Sequence, residues 1–237
     1  MGNFPLSDSI NWAEIGNSNK WAAFDPLSTS QTIGDYDSGT STWTAGYTFH
    51  TTSAIDSLVI LNSEFDQVSI TVSTPGVAGA APTVIYGPVI GTLTNKKYLT
   101  SLLPSGYSSL IVDLAFTSTT KIKIGGIILG LSQTIGSSQY GATLSITDYS
   151  LKTVDEFGNY SVTERPFQKK GSYTIWVDSS NIDSVIQTLE QYRATAIVYV
   201  GDDIYNSSIL YGFYKDFSMV LSYPTMAVCS IDIEGLT

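Results

Sequence analysis

One histidine, His50, and one cysteine, Cys229, are all that this 237-residue chain offers for imidazole or thiolate chemistry. A Ser-His-Asp or Cys-His system needs an imidazole base oriented by a third group, so any such system would have to run through His50. The surrounding run Tyr47-Thr48-Phe49-His50-Thr51 has no carboxylate within four positions of the histidine. We therefore read His50 as a strand or loop residue. A zinc site would need two carboxylates beside His50 and Cys229, an unusual donor set. Cys229 follows Val228 near the last strand and reads as a small core residue. Asp35-Tyr36-Asp37 offers two carboxylates, whereas calcium takes six or more oxygens. Asp155-Glu156 and Asp202-Asp203 read as solvated turns. Gly125, Gly126 and Gly130 sit between strands with no Lys-Ser/Thr after them, which is not a phosphate loop. A pair of carboxylates held across a cleft hydrolyses glycosidic bonds, but the spacing places no such pair. The expectation is a protein with no catalytic residues, no metal and no cofactor.

Aromatic residues are the other group with recognition chemistry. Trp12, Trp21, Tyr36, Trp43 and Tyr47 crowd the first fifty positions around a polar, turn-rich stretch. Tyr36, Trp43 and Tyr47 are candidate glycan contacts, through stacking on sugar rings. The competing reading has Trp21 and Phe24 plugging the end of a sandwich. In the second half, Tyr205, Tyr211, Phe213, Tyr214, Phe217 and Tyr223 exceed what one small core needs. Aromatics are enriched at the cores of stable interfaces, so these six form a candidate subunit interface.

The elements that must position these residues are mostly strands. Residues 1–20 read as an extended arm. Trp21-Ala22-Ala23-Phe24-Asp25-Pro26 reads as an apolar turn, and residues 28–46 as a long surface loop. Val68, Ile70 and Val72 alternate on one strand face. Further short strands lie at 55–61, 83–90, 108–116 and 121–130. Six or more strands with turns every 8–15 residues indicate an antiparallel sandwich. The uncharged Ser/Gly/Gln-rich run after Leu131 marks a boundary. Beyond it, Asp155 to Tyr160 centres on a hairpin turn at Gly158-Asn159. Ile182, Val185, Ile186 and Leu189 follow the helical i, i+3, i+4, i+7 rule, with Ser180 as cap and Arg193 at the negative end. The fold class expected is mainly β: two β-sandwich domains, the second with one packed α-helix. The divisions are an arm at 1–20, a sandwich at 21–131, a linker at 132–142 and a second sandwich at 143–237 with its helix at 181–193.

Composition narrows the partners. Charged residues are 14% of the chain, against about 25% in ordinary proteins. There are 32 Ser and 27 Thr, so hydroxyls solvate much of the surface. Lys and Arg number 11 against 21 Asp and Glu, a net charge of −10, which opposes binding to phosphate backbones. The start, Met1-Gly2-Asn3-Phe4-Pro5-Leu6, lacks the basic and apolar regions of a signal peptide, and Leu6 stands where myristoylation needs Ser or Thr. The apolar run Ile122 to Leu131 falls far short of the ~20 residues of a membrane helix. Neither nucleic-acid binding nor membrane insertion is expected.

Several runs carry a family resemblance. They are Gln139-Tyr140-Gly141-Ala142-Thr143-Leu144-Ser145-Ile146-Thr147-Asp148-Tyr149-Ser150, Asp155-Glu156-Phe157-Gly158-Asn159 and Thr163-Glu164-Arg165-Pro166-Phe167-Gln168-Lys169-Lys170. Arg193 through Gly201, Leu210 through Phe217, Tyr223-Pro224-Thr225 and Ile233-Glu234-Gly235-Leu236 belong with them. Together they resemble a family of tailed-bacteriophage virion proteins over about 100 residues of the second half. The first half shares the likeness more weakly, through Trp21 to Asp25 and Gly125 to Gly130. The strand, helix and aromatic-strand order of the second half is similar to the tail-tube-like domain of distal tail and minor tail proteins. The first half resembles a galactose-binding-type jelly roll, although Pro26 rather than Gly follows Asp25.

The resemblance implies a non-enzymatic structural component of a phage tail, near the distal tail, baseplate or tail tip. It implies a sixfold or threefold ring of copies joined to other tail and baseplate proteins, made in the host cytoplasm and located in the virion. The alternative is a host-attachment module that binds cell-surface polysaccharide through the first sandwich.

Overall fold

The computed structural model describes residues 10–15, 17–25, 30–76, 81–94, 96–100, 104, 106–202, 205–221 and 223–236. The fold is mostly β, in several antiparallel sheets, with a single α-helix among the described residues. The chain forms two compact units, Met1–Gln133 and Thr134–Thr237.

Unit 1 holds eleven strands among its described residues. They are β1 Ile10–Ile15, β2 Asn17–Ser18, β3 Thr32–Asp37, β4 Thr42–Thr51, β5 Ser57–Leu61, β6 Gln67–Thr74, β7 Thr83–Gly91, β8 Tyr98–Thr100, β9 Leu110–Ser118, β10 Lys123–Ile124 and β11 Gly126–Gly130. One sheet has the order β10-β3-β4-β9-β6-β7, with β1 also on β4 and β2 on β3; a second has the order β11-β5-β8. Alternation puts Ala45, Tyr47 and Phe49 of β4, Val68, Ile70 and Val72 of β6, and Leu110, Val112, Leu114 and Phe116 of β9 on one face. They pack with Leu58, Ile60, Ile127 and Leu129 of the small sheet into one core. Unit 1 is thus a β-sandwich.

Three expectations change in unit 1. Within the segment read as an arm, residues 10–15 form β1, which pairs with Thr51 to Gly46 of β4. The reason is that β3 covers only Thr42 to Thr44 on that edge of β4, and the remaining backbone groups need partners. Residues 1–9 lie outside the described residues. The stretch read as a loop at 28–46 contains β3 and the start of β4, joined by a turn at 38–41. Its β-branched residues and aromatics suit strands, and abundant Ser, Gly and Asp masked that signal. The turn expected at 21–26 is a 3-10 helix, Lys20–Phe24. Thr32 fastens it by accepting from the Ala23 amide and donating to the Asn19 carbonyl. Phe24 plugs the core edge-on against Tyr47 and Phe49, with centroids at 5.7 and 6.0 Å.

Unit 2 contains β12 Ser137–Ser138, β13 Thr143–Asp148, β14 Leu151–Val154, β15 Tyr160–Thr163, β16 Phe167–Asp178, α1 Ile182–Gln191, β17 Ile197–Val200, β18 Ile209–Val220 and β19 Met226–Gly235. Its sheet has the order β12-β16-β19-β18-β17, with β13 also on β16, and among the described residues β14 pairs only with β15. The short β12 lies inside the stretch read as a linker. Val185 and Leu189 of α1 are buried, with Ile182 partly so, against Tyr173, Ile175 and Val177 of β16 and Ala227, Cys229 and Ile231 of β19. The helix therefore covers its own sheet, and Ile186 faces outward. Its N-cap is Asn181 rather than Ser180, because a 3-10 turn at Ser179–Asn181 precedes it. The Ser184 hydroxyl donates to the Asn181 carbonyl at 2.9 Å. The helix ends at Gln191, with Arg193 beyond its last turn.

Candidate functional site

The residues with catalytic potential are dispersed. His50 is exposed on β4, and Cys229 is fully buried in the unit 2 core, where burial pushes its thiol pKa up. Among the described residues no cluster of three His, Cys, Asp or Glu could hold a metal ion, and no helix is long and apolar enough to cross a membrane. Of the acids singled out by sequence, Asp37 accepts from the Gly39 amide at 2.8 Å and the Thr40 hydroxyl at 2.9 Å. These bonds hold its pKa below the ordinary value, the Gly39 amide most. Asp155 serves its own turn, and Asp203 lies outside the described residues.

The glycan candidates separate. Tyr36 and Trp43 are directly opposite across β3 and β4, with ring centroids 5.4 Å apart and planes at 50°. Tyr36 is exposed, and Trp43 is half-buried against the end of the core. Tyr47 is a correction: it is buried, ringed by Phe24, Phe49 and Phe116. It shares the inward face with Ala45 and Phe49, so no sugar can stack on it. The side chains of Trp12 and Trp21 lie outside the described residues.

The six interface candidates also divide. Tyr205 and Tyr223 are exposed, and Phe213 is half-buried on the sheet face away from α1. Tyr214 and Phe217 point to the helix side and pack on the core. Tyr211 is buried, which removes it from any surface contact. A bulge between Tyr214 and Asp216 in β18 shifts the alternation, and single-strand reading could not anticipate that.

A more concentrated apolar surface lies on elements to which the sequence assigned no role. The β14–β15 hairpin has direct pairs Val154↔Tyr160, Thr153↔Ser161, Lys152↔Val162 and Leu151↔Thr163. Alternation makes one face Val154, Tyr160, Val162 and Lys152, and the other Thr153, Ser161, Thr163 and Leu151. Val154, Tyr160 and Val162 are 55%, 78% and 62% exposed. Phe157 at the tip is 89% exposed. The Asp155 carboxylate fixes that tip by accepting from the amides of Phe157 (2.9 Å) and Asn159 (2.7 Å) and from Asn159 Nδ2 (2.8 Å). Gly158 supplies the left-handed residue, at φ 83°. Nearby, Leu144 and Ile146 of β13 and Phe167 of β16 are exposed as well, and Lys169 Nζ lies 5.8 Å from the Phe167 ring centroid.

The sheet face away from α1 is graded. Trp176, Val228 and Val220 form one row across β16, β19 and β18. The next rows are Thr174, Ser230 and Ser218, then Ser172, Asp232 and Asp216. Beyond them Glu234 pairs with Lys170 at 3.2 Å and Lys215 at 3.5 Å. Trp176 is 46% and Val220 62% exposed, and Val228 is half-buried. The signal for the hairpin was present in the period-2 pattern of Val154, Tyr160 and Val162. Nothing local said that this face stays uncovered.

No family model matches the chain, and no curated protein matches it. Among solved structures it is similar to a chain described as CpGH89CBM32-6 produced by Clostridium perfringens, at 16% identity. That match covers 55% of this chain and 99% of the other, with a TM-score of 0.39. A likeness of that depth carries no functional argument.

Proposed function

We propose that the protein is a structural component of a bacteriophage tail, at the distal tail, baseplate or tail tip. It associates with copies of itself around the tail axis and joins neighbouring tail proteins. The observation that carries this reading is the β14–β15 hairpin, which holds Val154, Tyr160 and Val162 in solvent on one face and Phe157 at a braced tip. Two-stranded hairpins are marginal in water by themselves. An exposed apolar surface rimmed by polar residues marks a contact site. The tail setting comes from the sequence resemblance of residues 139–236 to tailed-phage virion proteins. The test is proteomics and antibody-gold electron microscopy of purified particles from a phage that encodes the chain. Label at the distal end of the tail is expected. Particles that contain the other tail proteins and lack this chain overturn the reading.

A second reading, host attachment, has its own observation: the exposed Tyr36 ring set beside Trp43 at the end of the unit 1 sandwich. Glycan arrays and host-cell binding with the full chain test it. Binding that is lost in Tyr36→Ala supports it, and no binding to any host surface preparation retires it.

A further inference from the structure

Two of the exposed apolar surfaces of unit 2 match each other. On the hairpin, Val154 and Tyr160 make one apolar pair, and Lys152 lies two residues along β14 on the same face. On the sheet, Trp176, Val228 and Val220 make one apolar row, and Asp178 lies two residues along β16 on the same face. Two residues along a strand span about 6.6–6.8 Å. Each surface therefore carries an apolar row and then one charge at the same step, a cation on the hairpin and an anion on the sheet. Among the described residues Lys152 pairs with the exposed carboxylate of Asp148, at 3.3 Å, a kind of pair that holds little.

We infer that the apolar face of the β14–β15 hairpin lies on the Trp176–Val228–Val220 row of a second copy of this chain, with Lys152 brought to Asp178. The inference rests on the self-association proposed above and names its two surfaces. Complementary charge favours the second copy as occupant, since a chain of net charge −10 otherwise repels itself. The surfaces are different parts of the chain, so each copy gives its hairpin to one neighbour and receives another's. Such a head-to-tail contact closes into a ring when the rotation allows and otherwise grows open. The tip held by Asp155 is ordered before contact, which lowers the entropy lost on docking.

The test is sedimentation of the full chain over a wide concentration range, with circular dichroism as the check on folding. Tyr160→Ser and Trp176→Ser are each expected to weaken association by about tenfold, the scale of one truncated interface anchor, with unchanged spectra. Thr153→Ala, on the opposite hairpin face, should leave association unchanged. Lys152→Asp and Asp178→Lys should each weaken association, and the two together should restore it. Association indifferent to all these changes overturns the inference and leaves the tail reading standing, with the contact elsewhere. A wild-type chain that is monomeric at every concentration also overturns it, and the location of the chain in particles then judges the tail reading separately. A monomer whose hairpin binds lipid vesicles or another tail protein in a Tyr160-dependent way gives that occupant the site instead.

Discussion

The Tyr214 hydroxyl donates to the Leu189 carbonyl oxygen at 3.0 Å, fastening the last turn of α1 to β18. The last carbonyls of a helix have no partner within it, and here one is satisfied by the sheet the helix covers. Tyr214→Phe keeps the ring and removes the donor. It should lower stability by about 1 kcal/mol, read as a lower urea midpoint at unchanged slope.

Leu189 itself is sealed against the sheet. Leu189→Asp places a carboxylate in an apolar site at a cost of several kcal/mol, and unit 2 should lose its cooperative melt. Gln187 is exposed on the outer face of α1, and Gln187→Asp should stay within about 0.5 kcal/mol of wild type. If Leu189→Asp left unit 2 folded, α1 would not be the layer that seals the core.

Glu64 is held by Lys123 Nζ at 2.7 Å and Lys96 Nζ at 2.8 Å. These hydrogen bonds, that of Lys123 first, lower its pKa from 4.5 to about 2. A depressed folded pKa gives stability that is fully present above the unfolded value and is lost as pH falls through the folded one. The thermal midpoints of wild type and Glu64→Gln should therefore differ at pH values above 4.5 and converge as the pH falls to about 2. All three groups are partly exposed, so the difference should be that of surface ion pairs, about 0.2–1 kcal/mol each. A gap that stayed constant across that window would remove the carboxylate from the account.

Asp155 accepts three hydrogen bonds at the hairpin tip, and these hold its pKa low, those from Asn159 first. Asp155→Ala should speed hydrogen exchange at the amides of Phe157 and Asn159 and leave the core strands unchanged. Unchanged exchange at both amides would mean that Gly158 and strand pairing alone set the turn.

Periodicity made much of the fold legible. Val68, Ile70 and Val72 announced a strand with one buried face. Ile182, Val185, Ile186 and Leu189 announced a helix that lies on apolar surface, and the structure places all of them so except Ile186, which is exposed. Strands hidden among Ser, Gly and Asp, such as β3, were not legible, because their polar residues also favour turns.

What the sequence determined by itself is therefore the β character of the chain, the one helical stripe, the hairpin turn at Gly158 and the narrow chemical inventory of His50 and Cys229. The tertiary structure alone decided which aromatic residues are available. Alternation along a strand creates two faces but does not say which one another element will cover. Tyr47 and Tyr211 are buried, and Tyr36 remains at the surface. Val154, Tyr160 and Val162 stay exposed because, among the described residues, β14 and β15 pair only with each other and no second layer reaches their apolar face. Coverage is a long-range property, set by which strands share a sheet, and a local pattern of side chains does not contain it.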